Sequence, residues 1–144
     1  MALDMAKYRR IFIEEATDHL AEISRALLEL EKEMGSVEAI DTLFRMAHSI
    51  KSMAASLGYD SVADLSHRIE DRMEGVRGAG RIRSAEELAL LFRGLETLEA
   101  MVRAVAAEEP SPQVDESLLE ALAREEPEPG TPDRVGGEPK KVPS

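Results

Sequence analysis

The chain has 144 residues, a net charge of −11, 43% hydrophobic residues, only 3% aromatics, and neither Trp nor Cys. That length fits one domain plus tails, and a palette rich in Ala and Leu fits helices. The negative balance argues against nucleic acid and against an anionic membrane surface, while the lack of cysteine removes disulfides, thiolate nucleophiles and cysteine metal sites.

No apolar run approaches the roughly 20 residues that span a bilayer. Met1 to Arg10 lacks the continuous apolar stretch of a signal peptide. The default expectation is a soluble, cytoplasmic and monomeric segment.

Tyr8, Ile11, Phe12, Leu20, Ile23, Leu27 and Leu30 recur at helical steps, with charged residues between them. They predict a long amphipathic helix over about residues 4–34, stopped by Gly35. Ser36 can cap a second helix striped by Ile40, Leu43, Phe44, Ala47, Ile50, Ala54 and Leu57. Gly58 ends it as a left-handed cap. Asp60 or Ser61 starts a third helix, striped by Val62, Leu65, Ile69, Met73 and Val76, with Gly75, Gly78 and Gly80 marking a fraying end and a turn. Ser84 and Glu87 form a capping box. A fourth helix follows with Leu88, Leu91, Leu95, Leu98, Val102 and Val105, bounded by Pro110 and Pro112.

Asp115 to Arg124 has one apolar edge, Leu118, Leu119 and Leu122, which predicts a short fifth helix packed loosely on the rest. Five of the seven prolines and three of the nine glycines lie between Pro127 and Ser144. That composition reads as a disordered linker, as at the end of an N-terminal piece of a longer protein. The fold class expected is all-α. An antiparallel four-helix bundle spans 1–108, an accessory helix 109–126 and a linker 127–144.

Chemistry concentrates in one place. His48 and Lys51 are three apart on the second helix, and His67 and Glu70 are three apart on the third. His48 lies about a quarter turn off the centre of its apolar stripe, so one side of its ring meets the core and the other meets water. Glu70 flanks the facing stripe and can reach the groove between the helices, with His67 at the rim. A carboxylate that accepts a hydrogen bond from Nδ1 fixes the tautomer and leaves the Nε2 lone pair free. Phosphoryl transfer then needs positioning and charge stabilisation, and Lys51 can neutralise phosphoryl oxygens. Small residues after His48, namely Ser49, Ser52, Ala54, Ala55 and Ser56, leave a shallow surface for a partner protein.

Blander readings exist for each feature. A histidine beside an apolar stripe is often an interfacial residue, and His19, beside Asp18, reads as one. Arg68 and Arg72 read as exposed helix charges that border a docking face at most. The methionines read as core filler. A zinc on His48, His67 and Glu70 is geometrically conceivable, but Lys51 opposes a cation there. The chain has no Glu-x-x-His of the kind found in di-metal bundles. A purely structural bundle explains the stripes and leaves the histidine, lysine and glutamate on one flank unexplained.

The run Phe44-Arg45-x-x-His48-Ser49-Ile50-Lys51, then Gly58, then His67-x-x-Glu70, resembles the histidine phosphotransfer domain of chemotaxis-type, CheA-like histidine kinases over roughly residues 5–108. The resemblance implies that His48 is the phosphorylated histidine, with Lys51 beside it and His67 and Glu70 as the supporting pair. It implies two partners: the ATP-binding domain of the same kinase, and the receiver domain of a response regulator. The segment binds no cofactor itself, because it has no Gly-rich phosphate loop. ATP and Mg2+ enter through the kinase catalytic domain and the regulator. Alone it is a substrate and relay, not a catalyst. One residue departs from the family pattern: Ser52 stands where glycine usually follows the lysine. Serine is small enough to keep His48 accessible, and its hydroxyl bears on which partner docks.

Overall fold

Asp4 accepts a hydrogen bond from the Lys7 N–H and starts α1 (Met5–Lys32). The computed structural model describes residues 4–124. The linker expected from residue 127 lies outside the described residues. Phe12, Ala16, Leu20, Ile23, Leu27 and Leu30 form the buried stripe of α1. Tyr8 and Ile11, assigned to that stripe by spacing, are 40% and 42% exposed. The helix ends two residues earlier than expected, and not through Gly35. Glu33 turns extended at φ −143°, and Met34 spends its carbonyl on the Ile82 N–H at 2.8 Å. That bond ties the first turn to the turn between the third and fourth helices.

Ser36 caps α2 (Val37–Leu57) by accepting from the Ala39 N–H. Gly58 closes it at φ 82°, a conformation that costs any residue with a Cβ about 1–2 kcal/mol. α3 (Asp60–Ala79) follows at once. It runs unbroken through Gly75 and Gly78, where fraying was expected, and stops at Gly80 with φ 83°. Gly75 is accommodated for a packing reason: a Cβ there would lie 3.1 Å from Arg83 Nη1, so the missing side chain makes room for that guanidinium. Ser84 caps α4 (Ala85–Ala107) by accepting from the Glu87 N–H at 3.0 Å. Asp115 caps α5 (Glu116–Ala123).

The short turns at 33–36, 58–59 and 80–84 reverse the chain each time, and α1 packs on α2 and α4 while α3 packs on the same two. This is the expected antiparallel four-helix bundle. Its core is filled by Leu27, Leu30, Leu43, Ile50, Leu65, Met73, Leu91, Leu98 and Met101, each essentially inaccessible to water. α3 and α4 approach closely where Gly94 faces Ile69; a Cβ there would sit 2.9 Å from Ile69 Cδ1.

α5 is bound more firmly than an apolar edge alone predicts. Leu118 and Leu122 are buried against α3 and α4. Arg72, read from sequence as an exposed charge, is 5% exposed. Its Nη1 donates to the carbonyls of Ala121, Leu122 and Arg124 at 3.0, 2.9 and 2.7 Å. Its Nε lies 2.9 Å from the wholly buried Glu87 carboxylate, which also takes Arg83 at 2.6 Å. A cation thus satisfies carbonyls that a helix C-terminus leaves open, and a buried carboxylate neutralises it. Arg68 stays at the surface, paired with Asp64.

Candidate functional site

His48 sits midway along α2 and Glu70 midway along α3, on the two helices joined by the tight turn at Gly58 and Tyr59. The turn is short, so these helices run side by side and antiparallel, and their midpoints come level. The apolar residues beside each group, Ala47 and Ile50 on α2 and Ile69 and Met73 on α3, are buried. They fix the rotation of each helix and so aim the polar flanks at one another.

His48 Nδ1 lies 2.7 Å from Glu70 Oε2. Lys51 Nζ lies 2.6 Å from Glu70 Oε1. One carboxylate therefore serves an imidazole and an ammonium, an oxygen each. The exposure is graded: side-chain accessibility is 54% for His48, 27% for Lys51 and 11% for Glu70. Burial opposes ionisation of Glu70, but hydrogen bonds and positive charge from Lys51 and His48 outweigh it and hold the carboxyl below its ordinary value. An ionised carboxylate only accepts, so Nδ1 carries the proton of this contact, and whenever the ring is neutral the lone pair lies on Nε2. No described residue bonds Nε2, and the exposed half of the ring carries it toward water.

The other expected members stand apart. His67 is 55% exposed and turns its Nε2 toward Asp71, 3.5 Å away, rather than toward His48 or Glu70. Its position one turn before Glu70 puts it at the rim, as the spacing suggested. Among the described residues no three His, Asp or Glu side chains gather closely enough to hold a metal ion. No helix among them is long and apolar enough to cross a membrane. His19 lines a groove between α1 and α2 with Glu22, Thr42 and Met46, away from the α2–α3 side. Sequence reasoning missed that Lys51 is already engaged by Glu70. The signal was present in its offset toward α3, on the same flank of the stripe as Phe44.

A family model described as the Hpt domain matches residues 7–125. The chain belongs to the Hpt domain family. The match includes α5, so the short helix falls within the family's span. Among curated relatives, the chemotaxis protein CheA of Bacillus subtilis is 34% identical over 103 residues, which is 72% of this chain and 15% of that protein. The chemotaxis protein CheA of Klebsiella aerogenes is 33% identical over 115 residues, 80% of this chain and 17% of that protein. The chain thus spans about a sixth of the length of these relatives. Among solved structures, the phosphorylated P1 domain of CheA3 in complex with CheY6 from R. sphaeroides superimposes with a TM-score of 0.72 at 24% identity. The match covers 81% of this chain and 92% of that one, and it shows that the two share the Hpt bundle fold.

Proposed function

We propose that His48 is the phosphoacceptor of this Hpt domain and that its Nε2 is the nucleophile. The observation that carries the reading is the 2.7 Å contact between Nδ1 and the ionised Glu70, with Nε2 left unpaired on an exposed face. The Nε2 lone pair attacks the γ-phosphorus of ATP held by the catalytic domain of the same kinase. An N–P bond forms, the bond to the bridging oxygen breaks, and ADP leaves with that electron pair. Nδ1 keeps its proton, and Glu70 stabilises the imidazolium so formed, the role a carboxylate plays toward histidine in a catalytic triad.

The second step returns the imidazole. A response-regulator aspartate attacks phosphorus in line and the N–P bond breaks back to the ring. Mg2+ acts on the kinase and receiver sides, and no residue of this chain needs to hold it. Lys51 keeps Glu70 ionised and in place at rest, and it lies beside the ring to offset charge once the phosphoryl group arrives. His67 acts at the rim. The shared fold of the R. sphaeroides P1 domain supports the reading, as does the state of that domain, which is phosphorylated and in complex with CheY6.

The test mixes this chain with a separate kinase catalytic domain, labelled ATP and Mg2+. Wild type takes up label that is labile in acid and persistent in base, as a phosphoramidate is. His48→Gln keeps its helical circular dichroism and takes up none. Label retained in His48→Gln contradicts the assignment.

A further inference from the structure

The resting site is short of positive charge for the state it must reach. A phosphoryl group brings close to two negative charges at neutral pH. Glu70 contributes a third, and against these stand only the positive charge that the ring gains on phosphorylation and the Lys51 ammonium, already engaged by Glu70 at 2.6 Å. His67 is turned to Asp71. Another cation lies one turn before His48 on α2, turned at rest toward Asp41. Arg45 lies three residues before His48 on α2, so the two are neighbours on the helix surface. Side chains on a helix lean toward its N-terminus, so the His48 ring covers the turn that holds Arg45. Around the helix axis, Lys51 and Arg45 lie about 60° to either side of His48.

Arg45 is 57% exposed and bonded through Nε alone, to Asp41 Oδ2 at 2.9 Å. No described residue engages its terminal nitrogens. Asp41 does not depend on it, because Arg77 Nη2 lies 4.0 Å from the other carboxylate oxygen. A guanidinium held by one edge, with its two terminal amines unspent, suits an oxyanion with several oxygens.

We propose that Arg45 binds the phosphoryl oxygens of phosphorylated His48, turning from Asp41 to do so, and thereby stabilises the phosphorylated domain. This rests on His48 being the acceptor. Lys51 stays paired with Glu70, preserving the orienting bond and offsetting charge from that flank, while Arg45 binds phosphoryl oxygens from the solvent side. The transfer itself is unchanged: the same N–P bond forms and ADP leaves with the bridging-oxygen electron pair.

The experiment measures the equilibrium of phosphoryl exchange between ATP and the full chain at fixed ADP, with a catalytic kinase domain present. Wild type, Arg45→Gln, Arg45→Lys and Asp41→Asn are compared at low and high salt, with the label mapped in each. Arg45→Gln lowers the fraction phosphorylated, its equilibrium constant falling about twofold to fivefold at low salt and less at high salt, as expected for an exposed charge contact. Arg45→Lys recovers part of the loss. Asp41→Asn, which frees Arg45, matches or exceeds wild type. A merely structural arginine moves helicity and not this salt-dependent equilibrium. Label on His48 with Arg45→Gln equal to wild type at both salts overturns the role of Arg45 and leaves the acceptor intact. Label absent from wild type, or carried by His19 or His67, overturns the acceptor and the Arg45 proposal together.

Discussion

Glu70 is the residue on which the proposed chemistry turns, because its two oxygens are divided between His48 and Lys51. Removing it takes away the bond that selects the tautomer and strands Lys51. A hydrogen bond to an ionised group contributes about 1.5–3 kcal/mol, so Glu70→Ala is expected to slow phosphorylation about tenfold to hundredfold. Rapid-quench kinetics checks this, with circular dichroism showing unchanged helicity. The carboxyl also ties stability to pH. Its folded value lies below the ordinary 4.5, so the unfolded chain takes up this proton first. The group's contribution is therefore complete above about 4.5 and is lost as pH falls through the lower folded value. Urea denaturation of wild type against Glu70→Gln is expected to show a stability gap that is constant near neutrality and narrows in acid below 4.5. A gap that widens there contradicts an ionised, doubly bonded Glu70.

At the scale of elements, most boundaries were legible because they rest on local chemistry. Ser36, Ser84 and Asp115 cap helices through the side-chain bonds their identity suggests, and Gly58 adopts the left-handed turn. The pairing of His48 with Glu70 was legible for the same reason: period and flank place the two level on neighbouring helices. What was not legible depends on distant partners. Arg72 looks like any surface arginine, since nothing near it in sequence announces that Glu87 and the end of α5 will surround it. Gly75 looks like a helix breaker until Arg83 occupies the space its side chain lacks. Lys51 looked free because its partner comes from another helix. The Arg72 network gives a prediction of its own. Breaking a buried charge network by removing one partner costs about 3–5 kcal/mol. Because Arg83 still pairs with Glu87, Arg72→Met is expected near the lower figure, about 3 kcal/mol, by urea denaturation. α5 should detach first, with its amides losing protection from hydrogen exchange. Wild-type stability in that variant contradicts the clamp.

Across the whole molecule, four helices supply the platform and α5 covers the α3–α4 side, leaving the α2 face around His48 open. Two truncations test where the folded unit stops. Removing residues 127–144 is expected to leave melting temperature and phosphorylation rate nearly unchanged. Removing 115–144 exposes the sites of Leu118 and Leu122, both buried, and burying a leucine contributes about 1.5–3 kcal/mol. The longer deletion also removes the carbonyl partners of the buried Arg72, and it is therefore expected to lower the melting temperature clearly below that of the shorter one. Equal melting for the two truncations contradicts an α5 that belongs to the bundle.

In the proposed reaction one nitrogen of one histidine carries the phosphoryl group. The most direct measurement labels the histidines with 15N, phosphorylates the chain with a separate kinase catalytic domain, and locates the 15N–31P coupling by NMR. Coupling is expected to Nε2 of His48, with Nδ1 still protonated and facing Glu70. Coupling to Nδ1 of His48, or to any nitrogen of His19 or His67, contradicts the proposed reaction.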